Sequence, residues 1–95
     1  MDFLLEEGFD ENLIKQLKQR YDSSTLDLFI LERENVQDVI HYFQKIGIIP
    51  IEELLLSRIE LFTKDINTIK DAFLKHNIKQ VVELVNHDIN NIDWL

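Results

Sequence analysis

Asn35–Phe62 reads NVQDVIHYFQKIGIIPIEELLLSRIELF, and Asp65–Ile92 reads DINTIKDAFLKHNIKQVVELVNHDINNI. Laid over one another, these two stretches are offset by 30 residues and need no gap. Val36 falls on Ile66, Val39 on Ile69, Phe43 on Phe73, Ile51 on Val81, Leu55 on Val85 and Phe62 on Ile92. Six positions are identical, among them Phe43/Phe73, Ile48/Ile78 and Ile59/Ile89. The apolar residues recur every three and four positions, the helical period. Two copies of a short helical unit therefore predict an all-α fold. A self-similar period of about 30 residues is the mark of stacked repeats.

The punctuation points the same way. Asn35 and Asp65 are both good helix N-caps. Gly47 and Asn77 are the residue types that most readily take a left-handed position after a helix. Pro50 suits the first position of a helix, with Glu52 and Glu53 in its first turn. Helices are thus expected at about 36–46, from Pro50 to near Arg58, from Asp65 to Asn77 and over about 79–86. A short turn is expected over 59–62. The stripe of the last helix is read as Val81, Leu84 and Val85.

Outward from the repeat, the first third is looser. A short helix is expected over 3–7, closed by Gly8, and a longer one over 11–21. A turn and N-cap follow at 22–25, then a buried short helix over 26–33. Gly8-Phe9 matches Gly47-Ile48, and Leu13, Ile14 and Leu17 stand in for Ile51, Leu54 and Leu55. The chain is then one all-helical domain: an irregular first repeat (1–34), a middle repeat (35–64) and a terminal repeat (65–95). Two to three degenerate repeats form stacked short helical hairpins. Ile40, Ile46, Leu56 and Leu61 of the middle repeat fall on Lys70, His76, Asn86 and Asn91 of the last. A terminal repeat needs no second apolar face. The extra face of the middle repeat is expected to pack on the first, or else to serve a partner.

The stretches Tyr42–Ile48, Ile51–Leu56 and Ser57–Phe62 together resemble the repeat of the mitochondrial transcription termination factor (mTERF) family. That repeat has a Leu-Gly-Leu-like helix end, an Ile-Leu-Leu-like second helix and an Arg-Pro-x-Leu-Leu-like third element. The resemblance implies a curved helical solenoid, which in that family binds nucleic acid through a basic face. Two features depart from it. Ile59 and Ile89 replace the family's Pro, and the chain is acidic. No functional residue transfers.

The chain has 95 residues, a formal charge of −8, two Gly, one Pro and no Cys. A chain of this mass should fold to a surface of roughly 5,800 Å². Its apolar share of 45% is too high for disorder. Without Cys there is no disulfide and no thiolate metal site. The acidic start predicts no signal or transit peptide. No apolar run approaches a membrane span of about 20 residues. A cytoplasmic protein is expected.

Charge is concentrated at the amino end: residues 1–34 carry −5, 35–64 carry −1 and 65–95 carry −2. Asp2, Glu6, Glu7, Asp10 and Glu11 place five carboxylates in eleven residues without one basic residue. Such a field repels nucleic acid and anionic lipid over long range.

No catalytic constellation is visible. Asp38 and His41 share a helix face but lack a nucleophile, and that face reads as solvated. His76 and His87 stand at helix ends, where cations suit the helix dipole. No His pair has the i, i+4 spacing of a helical zinc site, and no alternating oxygen loop suits calcium. No phosphate loop is present. The expectation is a non-enzymatic module that holds no cofactor or metal and binds another protein. The candidate interaction residues are Asp2, Glu6, Glu7, Asp10, Glu11, Ile40, Leu56, Leu61 and Trp94. Trp94 serves either as a tucked terminus or as an anchor. The alternatives are nucleic-acid binding through Lys15, Lys18, Arg20, Lys45, Arg58, Lys75 and Lys79 on one face, and self-association as a homodimer.

Overall fold

A computed structural model describes residues Met1–Leu95. Seven α-helices and two 3-10 turns follow one another without a strand: α1 (Phe3–Glu6), α2 (Glu11–Arg20), α3 (Ser23–Leu31), α4 (Arg33–Ile46), α5 (Ile51–Ser57), a 3-10 turn (Ile59–Thr63), α6 (Ile66–Leu74), α7 (Ile78–His87) and a second 3-10 turn (Ile89–Ile92). The order helix, helix, 3-10 turn thus occurs twice, from α4 and from α6. The accessible surface is 5828 Å², close to that expected for a compact chain of this mass.

Short polar side chains start most helices. Asp10 accepts from Leu13 N at 3.0 Å, and Asp22 from Thr25 N at 2.8 Å. Asp65 accepts from Asn67 N at 2.8 Å, and Asn77 from Gln80 N at 3.1 Å. Each occupies one of the N–H groups that a helix start leaves unpaired. Gly8 and Gly47 have φ of 94° and 98°, where a side chain is strained, and they close α1 and α4.

Four local expectations are corrected. Asn35 is not an N-cap. A single residue, Glu32, joins α3 to α4, so α4 begins at Arg33 and Asn35 lies inside its first turn. Asn77 is not left-handed; with φ −73° it caps the start of α7 instead. Pro50 stands one position before α5. Its φ −82° and ψ 53° make a tight turn closed by Ile51 N donating to Ile49 O at 2.8 Å. The segment after Ser23 is a helix, but it buries only Phe29 and leaves Leu28 and Leu31 outside.

Twenty-one residues are buried, all apolar, and they form one cluster. Phe43 of α4 sits at its centre, with ring centroids 5.6 Å from Phe62 and 6.1 Å from Phe73. Phe3 and Phe29 pair at 5.5 Å beneath α1. α2 lies on α5, and α3 on α4 and the first 3-10 turn. In α7 the inward residues are Val82 and Val85, whereas Leu84 is half exposed. The inward stripe therefore takes in Val82 in place of Leu84, and Val82 Cγ1 lies 3.7 Å from where a Cβ on Gly47 would stand.

Candidate interaction surface

The acidic amino end divides into structural and free carboxylates. Asp10 is spent on the start of α2. Glu7 reaches α4, where its Oε2 lies 2.5 Å from His41 Nε2 and its Oε1 accepts from Gln37 Nε2 at 3.3 Å. A carboxylate only accepts, so His41 Nε2 is the donor. His41 thus engages Glu7 and not Asp38, and ties the short α1 to α4. Asp2, Glu6 and Glu11 are exposed. Asp2 and Glu11 share a groove of about 430 Å³ with Lys15 and Lys18, so part of the acidic field is balanced locally.

The apolar candidates fare differently. Ile40 and Leu61 lie inside the core, so neither offers a surface to a partner. Leu56 is half buried. Its backbone does the visible work: Leu56 O accepts from Tyr21 Oη at 2.8 Å and from Arg20 Nη1 at 2.9 Å. Tyr21 also donates to Leu55 O at 3.2 Å. These are the carbonyls that the end of α5 leaves unpaired. Burial pushes the Tyr21 phenol up from its ordinary value. Trp94 folds back, 5.3 Å from the Phe73 ring and 4.7 Å from His76, yet stays 40% exposed. His76 accordingly meets Trp94 rather than serving only as a helix-end cation.

The seven cations proposed for nucleic acid do not share one groove. Lys15 and Lys18 line the groove with Asp2. Arg20 is bound to Leu56 O. Lys45 lines a second groove with Lys70. Arg58 is held by both Asp93 oxygens and by Asn90 Oδ1. The Arg58 guanidinium holds the Asp93 carboxyl below its ordinary value, and Asp93 raises Arg58 in turn.

Three ties were not foreseen from the sequence. Asn35 Nδ2 donates to Phe62 O and Lys64 O, and its Oδ1 accepts from Ile66 N at 2.9 Å. Asn86 donates to Gly47 O at 3.0 Å and accepts from Ile49 N at 2.9 Å. Asn91 donates to Leu84 O at 2.8 Å. The one available signal was the loss of Leu56 and Leu61 equivalents to Asn86 and Asn91. These two amides serve backbone groups of neighbouring turns rather than merely facing water.

Several large apolar side chains remain outside. Ile49 is 80% exposed, Leu31 76%, Leu74 70%, Leu84 51% and Leu28 49%. No group of His, Asp and Glu converges as a metal site, and no helix is long and apolar enough to cross a membrane. Comparison with protein-family models, with curated proteins and with solved structures finds no match for this chain.

Proposed function

We propose that this chain is an acidic, non-enzymatic helical module that binds another protein through its surface. One observation carries the reading: every buried residue is apolar, while five large aliphatic side chains stand about half exposed or more. Catalysis rests on polar groups held in a desolvated, preorganised setting, and no polar or charged side chain here is buried. Exposed apolar side chains are where partner binding draws its free energy.

The architecture we assign is a stack of two tight repeats on one irregular repeat, of the kind the mTERF-like resemblance suggests. Its support is the twofold order of helix, helix and 3-10 turn, with the second helices ending at Ser57 and His87 and the 3-10 turns starting at Ile59 and Ile89. Both pairs stand 30 residues apart, as do the repeated residues. Nucleic acid is disfavoured as the partner by the net charge and by the scatter of the cations.

Affinity capture from the native host tests the reading, followed by titration of the purified pair. A stoichiometric protein partner, lost on Leu84→Glu or Ile49→Glu in a still-folded chain, is the expected result. Capture that disappears on nuclease treatment, or substrate turnover abolished by loss of a His, overturns it.

A further inference from the structure

One face of the molecule runs along α4 and α6 and changes character from end to end. At one end Leu31 projects beside Glu34, Asp38 and Asp65, with Arg33 the one cation among them, in a shallow groove of about 610 Å³. At the other, Leu74 projects beside Lys45 and Lys70 in a groove of about 480 Å³. Asp38 lines both grooves, so the two are continuous. Residues 34, 38, 42 and 45 recur at the helical period and mark one side of α4. Residues 66, 70 and 74 do the same on α6. The floor between the ends is half-buried Tyr42 and Ile66, with Lys70 Nζ 5.7 Å from the Tyr42 ring centroid. Neither lysine is paired with a carboxylate of its own chain.

Glu34 and Lys45 are eleven positions apart on α4, roughly 16 Å along its axis. That exceeds the screening length of about 8 Å at physiological salt, so Glu34 and Lys45 act as separate poles, with Asp38 between them. Acid at a helix start and base at its end also suit the helix dipole. The dipole does not explain why a bare leucine stands at each pole.

We propose that this face is a homodimer interface, and that a second copy of this chain covers it with α4 antiparallel to α4 about a twofold axis. A twofold axis maps one patch onto itself reversed. It sets Leu31, Glu34 and Asp38 of each copy against Leu74, Lys45 and Lys70 of the other, and does so twice. The apolar ends then meet each other, and the net negative end meets the net positive one. The arrangement deepens the protein-binding reading above by naming one occupant. It leaves Ile49 and Leu84 outside the contact residues, available to a different protein. A chain that is monomeric yet captures a host protein would sink this interface and leave that reading intact.

Sedimentation equilibrium of the full chain tests it, at up to about 200 μM and at about 0.05 and 0.5 M salt. A dimer is expected at low salt, weakening as salt rises. Leu31→Glu, at a side chain that is 76% exposed in the folded chain, weakens it at least about tenfold. Two charge variants sharpen the test: Lys45→Glu with Lys70→Glu, and Glu34→Lys with Asp38→Lys. Each pair alone sets like charges against each other across the axis and is monomeric. Mixed in equal amounts, the two chains form a heterodimer, because both contacts become complementary again. A wild-type monomer throughout this range overturns the proposal. So does a dimer that Leu31→Glu and both charge variants leave unchanged.

Discussion

Asn35 joins two helical layers with a single amide. Its nitrogen bonds the carbonyls of Phe62 and Lys64, and its oxygen takes the N–H of Ile66, the first residue of α6. One side chain thus closes the first 3-10 turn and opens the next helix. Removing it leaves those backbone groups to find water at a half-buried position. Asn35→Ala is expected to cost about 1–3 kcal/mol, more than Asp65→Ala, which removes one cap bond and should cost about 1 kcal/mol. Urea denaturation of both variants ranks them; equal midpoints would remove the bridging role from Asn35. Gly47 is a second residue with a backbone reason. Its φ of 98° is positive, and a Cβ there would meet only Val82 Cγ1 at an ordinary 3.7 Å. The cost of Gly47→Ala is therefore conformational rather than steric, about 1 kcal/mol, and thermal melting should show it without loss of the fold.

Element by element, the ends of α5 and of the two 3-10 turns are held by groups from elsewhere in the chain. Tyr21 and Arg20 of the first third serve the last carbonyls of α5. Arg58, just before the first 3-10 turn, grips Asn90 and Asp93 at the second. Two carboxylates are lowered by hydrogen bonds they accept: Asp22 by local bonds from Thr25 and Ser24, and Asp93 by its bond from Arg58. A carboxylate lowered in the folded chain binds fewer protons there than when unfolded. Its contribution is present above the ordinary carboxylate range and is lost as pH falls through the lowered value. Stability should therefore drop on acidification below that range, and less so in Asp93→Asn. Both groups are exposed, so salt should shrink the difference. Denaturation midpoints measured from neutral pH down to about pH 2 check this; an identical acid slope in Asp93→Asn would contradict it.

At the scale of the whole molecule, one apolar cluster serves every helix except as a surface. Phe43 touches the rings of both Phe62 and Phe73, and Phe73 in turn touches Tyr42 and Trp94. The aromatic chain runs from the first 3-10 turn to the last residues. Phe43→Ala should cost about 3–5 kcal/mol. Against a total of about 5–15 kcal/mol for a domain, that is enough to broaden or abolish cooperative melting. Circular dichroism melts would show retained helix with lost cooperativity, or unfolding, in that variant. Trp94→Ala, at the partly exposed end of the same chain of rings, should cost less and report through the core only at Phe73.

The helical period, a turn and N-cap within 22–25, Asp65 as a cap and Gly47 as a left-handed terminator were all legible from the residues alone. Each is a local matter: a side chain bonding its own backbone two or three residues away, or a φ that only glycine takes without strain. The roles of Asn35, Asn77, Ile40, Leu61 and Leu84 were not. Asn suits a helix start, a helix end or a bridge about equally, and the distant carbonyls of Phe62 and Lys64 decide among them. Ile40 and Leu61 have the same apolar chemistry as Leu31 and Leu74. Whether a leucine is core or surface depends on which helix lies over it. The sequence by itself determined that the chain is helical and where most of its turns fall, because those follow from bonds within a few residues. Only the tertiary structure decided which apolar side chains were left outside, because burial is settled by neighbours far along the chain.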